Sequence, residues 1–186
     1  MHGEKLASGV KHADNISPCI MGGITLIRSA FPLDIISLEY PKIYFTVVHP
    51  QIEVKTSDAR DILRKEVLLK DAIKQWGNIA GLVAGLLQKD FDLISRSLTD
   101  HIIEPVRSML IPEFDKIKKN CIEAGALGGG IAGSGPSIFM MSKNENDAGK
   151  VGEIIKTIYD KIGLDYYSYI TTINTDGVKI IESNFK

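Results

Sequence analysis

The sequence has little of what marks a chain for a special environment. Of its 186 residues only 2 are cysteine, Cys19 and Cys121. They stand far apart, in neither metal-site nor redox-motif spacing, which excludes a disulfide framework and suits a reducing compartment, expected to be the cytoplasm. Charge of one sign is also lacking: 22 basic and 23 acidic residues leave a net charge of −1. Neither a nucleic acid nor a membrane surface is therefore an expected partner. No apolar run reaches the length of a membrane span, and the start carries no basic-then-apolar targeting signal. Repeats and low-complexity segments are absent too. What is present is ordinary for a globular chain, with 44% hydrophobic and 24% charged residues. That is enough for one domain with a real core, or one domain and part of another.

The opening segment, MHGEKLASGVKHADN, is rich in polar residues and glycine and announces no element. It reads either as a flexible terminus or as a cut through a larger protein. GITLIRS (23–29) and LDIISLE (33–39) read as a hairpin around the turn signal AFP. IYFTVVH (43–49) is a continuous apolar, β-branched and aromatic run stopped by Pro50, hence a buried strand. Thr56 or Ser57 can cap a helix reaching about Lys65. From Lys70 to Gln88 apolar residues recur at helical spacing, with Gly77, Gly81 and Gly85 four apart for close packing of a neighbour. Helices follow over 90–99 and from Pro112 through EFDKIKKNCIEA. SIFMMS (137–142) reads as a strand, 146–162 as an amphipathic helix capped by Gly163, and 166–173 and 178–183 as strands joined across NTDG. The order predicts an α+β sandwich, a small antiparallel sheet covered by helices.

Glycine is concentrated in GALGGGIAGSGPS, residues 125–137. Gly128, Gly130 and Gly133 formally satisfy the dinucleotide fingerprint G-x-G-x-x-G. A dinucleotide loop must leave a strand and open a helix, because the pyrophosphate sits on that helix's N-terminus. Here a helix enters and a strand leaves, so the fingerprint is a decoy. Two readings stay open: an anion-binding nest of backbone N–H groups, or a tight helix-to-strand connection that needs glycine for packing.

GALGGGIAGSGPSIF resembles the third motif of the GHMP kinases. ASGVKHADNISPCIMGGITLIRS, VVHPQIEVKTSDAR, QWGNIAGLVAGLL and DHIIEPVRSMLIPEF resemble, within them, the homoserine kinases, in order and from about Gly3 onward. Ala132 stands where serine is common in that motif, and Ser137 where threonine is. The family's first half, with its own phosphate loop, has no counterpart here. The resemblance thus implies residues 1–40 as a remnant of an N-terminal, ribosomal protein S5 domain 2-like domain. It implies 41–186 as a GHMP kinase C-terminal domain, a ferredoxin-like α/β sandwich with extra helices.

The implied activity is ATP-dependent phosphorylation of the L-homoserine hydroxyl, with Mg²⁺, on the route to threonine. A chain without the first phosphate loop is expected to turn over nothing by itself. A homodimer is compatible with this, and the alternatives are another GHMP small-molecule kinase or a non-catalytic ligand-binding or dimerisation module. By resemblance Glu4 is the Mg²⁺ ligand, and His12, Asp14 and Asn15 belong to the homoserine site, Asp14 toward the ammonium. Thr56 falls near the reacting hydroxyl. Arg60 and Arg107 form a fork for the amino-acid carboxylate, which a guanidinium matches bidentately. Gly128, Gly129, Gly130, Gly133, Ser134 and Gly135 make the glycine motif. No general base is assigned, since phosphoryl transfer rests mainly on positioning and charge neutralisation. His49, His101 and Trp76 read as structural.

Overall fold

The computed structural model describes residues 13–54, 59 and 62–182. They divide into two compact units: one runs to Tyr40 and resumes at Ile173, the other spans Pro41–Thr172.

In the first unit a short helix, α1 (Ile16–Met21), precedes strands β1 (Ile24–Ala30) and β2 (Leu33–Leu38). The two strands pair antiparallel from Ile24 opposite Leu38 to Ala30 opposite Leu33, as the hairpin reading expects. The later segment of this unit is not the strand expected over 178–183: residues 178–182 carry no strand. Gly177 explains the difference. Its φ is +61°, and a Cβ there would lie 2.3 Å from the Ile20 carbonyl oxygen, so only glycine lets this turn press onto the end of α1. The Val178 amide then donates to Ile20 O at 3.1 Å, and the Gly23 amide to Asn174 O at 2.8 Å. The turn is committed to α1 rather than to a hairpin.

The second unit begins with β3 (Tyr44–Pro50). Half of the expected helix over 56–65 lies outside the described residues; Ala59 is helical, but residues 62–68 are not, so it does not reach Lys65. Ile62, Val67 and Leu68 stay exposed there, so this part of the segment has little apolar burial to offset the ordering of a helix. Helix α2 (Leu69–Gln88) follows, then α3 (Phe91–Ser97), whose N-cap Asp90 accepts the Asp92 and Leu93 amides at 3.0 and 2.9 Å. A single turn, α4 (Glu104–Arg107), runs into a 3₁₀ turn at Ser108–Leu110, and α5 (Phe114–Glu123) leads to strand β4 (Gly128–Ile131). Strand β5 (Ile138–Ser142), helix α6 (Glu145–Ile162) and strand β6 (Tyr166–Thr172) complete the unit. Gly163 ends α6 in the left-handed conformation, as expected.

The four strands lie in the order β4-β5-β3-β6, every neighbouring pair antiparallel. With one crossover of helices between β3 and β4 and a second helix between β5 and β6, this is the ferredoxin-like sandwich. Alternation puts Val48 of β3 and Ile138 and Met140 of β5 on one face. Against it α5 brings Ile117 and Cys121, and α6 brings Val151, Ile155 and Tyr159. Each fully buried aliphatic side chain contributes about 1.5–3 kcal/mol. Thr46, also fully buried, satisfies its hydroxyl on Ala148 O of α6 at 3.0 Å. Of the three helical glycines, Gly81 and Gly85 meet α3: built Cβ atoms would lie 2.5 Å from Ser97 Oγ and 2.9 Å from Ile94 N. Gly77 has open space instead.

Candidate functional site

The site is built on short connections braced by side-chain bonds to backbone. Asn78 Nδ2 of α2 donates to Thr99 O at 2.7 Å, and the His101 amide donates to Gln75 Oε1 at 2.9 Å. These bonds tie the 99–101 segment to α2. Asp100 then nucleates the turn that follows: Oδ1 accepts the Ile102 and Ile103 amides at 2.7 and 2.9 Å, and Oδ2 accepts the Glu104 amide at 3.2 Å. A carboxylate at this position also suits the positive end of the helix. Pro105 follows within the first turn. Asp100 thus sets the direction of α4 and, through it, of Arg107.

Arg107 donates through Nε to Ala59 O at 3.0 Å and through Nη1 to Gly133 O at 2.9 Å. Of the five guanidinium hydrogens, one is spent on Ala59 and one holds the glycine connection in place. Among the described residues the Nη2 amino group and the second Nη1 hydrogen have no bonded partner and can meet a ligand. One turn earlier, Glu104 pairs with Lys118 of α5, both side chains largely shielded. Burial pushes the Glu104 carboxyl above its ordinary range, and the Lys118 ammonium works against that shift.

The glycine stretch is not one loop. Gly128, Gly129 and Gly130 are strand β4, paired opposite Met141, Met140 and Phe139. They are glycines because neighbours take the space of a side chain. A Cβ on Gly129 would lie 2.0 Å from Phe139 O, on Gly128 2.8 Å from Leu98 Cβ, and on Gly130 2.8 Å from Glu104 Oε2. Only the following turn is a connection, with Gly133 and Gly135 at φ +60° and +84°. The Gly135 amide bonds Ala132 O at 3.0 Å, and His49 Nδ1 meets Ser137 Oγ at 2.8 Å where the turn leaves. That bond gives His49 a structural task.

These elements enclose a cavity of about 270 Å³, walled by Gly129, Gly130 and Gly133 on one side and Asn78, Asp100 and Arg107 on another. It offers a cationic fork beside glycine backbone, a setting for a small anionic or carboxylate-bearing ligand. Of the expected site residues the structure brings together Arg107, Gly129, Gly130 and Gly133; Ser134 and Gly135 continue the same turn. Asp14 and Asn15 lie in the other unit, exposed, with Asn15 preceding α1 and making no cap bond through its side chain. Glu4, His12, Thr56 and Arg60 lie outside the described residues, so of the two arginines expected to form a fork the structure describes Arg107 alone.

Residues 82–161 match the family GHMP kinases C terminal. The chain carries a GHMP kinase C-terminal domain. Along 97% of its length it is 45% identical to the homoserine kinase of Chloroherpeton thalassium, of which it spans 57%. The crystal structure of homoserine kinase from Cytophaga hutchinsonii superposes on 95% of this chain and 56% of that one, at 51% identity and a TM-score of 0.92. L. major mevalonate kinase, at 13% identity and a TM-score of 0.69, shares the fold alone over 94% of this chain and 56% of its own. The chain therefore spans little more than half the length of the relatives it matches. Within the GHMP domain, Asp100, Glu104 and Lys118 were missed by the sequence reading. The cap could have been found, because an acid four residues before a Glu-Pro helix start is a helix-entry pattern.

Proposed function

We propose that this chain is the C-terminal part of a homoserine kinase, moving the ATP γ-phosphoryl group to the side-chain hydroxyl of L-homoserine. The observation that carries the reading is Arg107, anchored on Gly133 and Ala59 and aimed at a cavity of amino-acid size walled by the glycine strand. The high identity to homoserine kinases along nearly the whole chain supports homoserine over other acceptors.

In this reading the remaining donors of Arg107 take the substrate carboxylate, joined by Arg60, while Asp14 takes the ammonium and His12 and Asn15 position the molecule. Thr56 lies near the hydroxyl. Fixing the hydroxyl against the γ-phosphate lowers the barrier through orientation, without a strong base. The glycine strand and its turn support the nucleotide side by close backbone approach.

ATP with Mg²⁺ supplies the phosphoryl group and neutralises its charge when bound. Among the described residues no group of three or more His, Cys, Asp or Glu side chains could hold a metal ion. Magnesium on a nucleotide needs only one or two protein carboxylates beside the phosphates, so Glu4 stands as the proposed ligand. Two free thiols, Cys19 and Cys121, suit the cytoplasm. Among the described residues no helix is long and apolar enough to cross a membrane.

The test is Arg107→Ala, read in a protein that joins this chain to the preceding portion of the Cytophaga hutchinsonii enzyme. Losing a charge-assisted fork should raise the homoserine KM about ten- to hundredfold. An unchanged homoserine KM with a raised ATP KM would remove Arg107 from the carboxylate site.

A further inference from the structure

Glu104 and Lys118 meet where three elements around the cavity converge. Glu104 opens the single turn α4, Lys118 stands in the middle of α5, and their side chains are only 14% and 15% exposed. One carboxylate oxygen, Oε1, accepts from the Lys118 ammonium. The other, Oε2, lies against β4, in the space a side chain at position 130 would take: a Cβ on Gly130 would stand 2.8 Å from it. The pair therefore fastens α4 to α5 on one side and to the glycine strand on the other. Helix α5 in turn leads into that same strand.

A turn of four residues has no stability of its own, because so short a helix does not outweigh the cost of nucleation. Its direction must be imposed by its neighbours. Asp100 does so at the start, by accepting the Glu104 amide. Glu104 and Lys118 do so along the side. Arg107 stands three residues after Glu104, hence on the same face of the turn, and it carries the bonds to Ala59 O and Gly133 O. A shielded ion pair is a poor source of stability, since desolvation offsets much of the attraction; its better use is to fix one arrangement over others. Burial is what chiefly raises the Glu104 carboxyl, the Lys118 ammonium opposes it, and Asp100 and Asp115 add a smaller rise. Glu104 also lines the cavity, so the ammonium keeps its charge from repelling an incoming carboxylate.

We propose that the Glu104–Lys118 pair positions Arg107: it holds the turn that carries the guanidinium beside Gly130 and Gly133, and so fixes where a ligand carboxylate is received. Both are positioning residues, acting through Arg107. The last step rests on the reading of Arg107 as the carboxylate donor. The hold on Arg107 itself does not.

Arg107 can report its own position. In NMR of the isotope-labelled chain, the Arg107 Nε–H signal, identified by its loss in Arg107→Lys, should exchange slowly with water because Ala59 O holds it. Lys118→Met and Glu104→Gln keep the shape of the side chains and remove the pair. Each should speed that exchange at least about tenfold, while core amides such as those of Val151 and Ile155 keep their protection. Lys118→Arg keeps the charge and should restore most of the hold. Unchanged Nε–H exchange in both variants overturns the proposal. Equal loss of protection throughout the core overturns it too, because the pair would then be a general support. In the protein joined to the preceding portion of the Cytophaga hutchinsonii enzyme, Lys118→Met should raise the homoserine KM about five- to tenfold, leave the ATP KM as it is, and add nothing in an Arg107→Ala background. A full further rise in that background would contradict action through Arg107. Faster Nε–H exchange with an unmoved homoserine KM would support the positioning and remove the carboxylate reading instead.

Discussion

Gly129 shows how much a single position can carry. Its backbone lies so close to β5 that any Cβ would overlap Phe139 O and the Met140 side chain. Gly129→Ala must therefore push β4 away from β5, and we expect a loss of at least about 2 kcal/mol in a urea melt. Gly133, where a Cβ meets nothing but φ is +60°, should lose only about 1 kcal/mol on the same change. Equal costs at both positions would mean that packing against β5 is not what demands glycine at 129. The sequence alone left two readings for these glycines, a nest or a tight connection. Both describe only the turn after Ile131, because nothing in GALGGG tells a loop glycine from a strand glycine whose side-chain space is taken by Phe139, Glu104 or Leu98, distant in the sequence. Arg107 was legible as a candidate, but its grip on Gly133 and Ala59 was not, since both partners are backbone carbonyls.

Among elements, those with a sustained apolar period were readable to within a residue or two: α2, α5, α6 and strands β3 and β5 match their expected spans. The failures have separate causes. The segment 62–65 has helix propensity, but Ile62 stays exposed and no helix forms there. The segment 178–182 is held off a hairpin by the Gly177 turn, whose Val178 amide is bound to Ile20 O. Short elements depend instead on their caps. Asp90 satisfies two amide groups at the start of the seven-residue α3. Asp90→Ala should cost about 1 kcal/mol of stability, and native-state hydrogen exchange should show it first at Asp92 and Leu93. Unchanged exchange there would put the hold on α3 in Ile94 and its packing rather than in the cap.

At the scale of the whole molecule, two neutral groups are sealed into the core under the sheet. Burial pushes the Cys121 thiol up to about 12 from an ordinary 9.0, and the Tyr159 hydroxyl up to about 12 from 10.0. Both folded values lie above the unfolded ones. Their contribution is fully present at neutral pH and is lost as pH rises, because the unfolded chain gives up these protons first. Stability should fall from pH 9 toward about 12, and in Cys121→Ala the fall should begin nearer the tyrosine's ordinary 10.0. A stability flat across that window would show that the core admits water around both groups.

A small antiparallel sheet covered by helices was legible because β3 and β5 announce themselves as buried runs; the ferredoxin-like order came with the family resemblance, since β4 reads as a glycine connection and not as a strand. The site was legible in part, through residues whose chemistry is visible in their type. The measurement closest to the central claim is an acceptor panel for the protein that joins this chain to the preceding portion of the Cytophaga hutchinsonii enzyme. With ATP and Mg²⁺, phosphorus NMR should show O-phosphohomoserine with homoserine, no product with mevalonate, and no turnover by the 186-residue chain alone. A folded joined protein that phosphorylates another hydroxyl acceptor and leaves homoserine untouched would contradict the account.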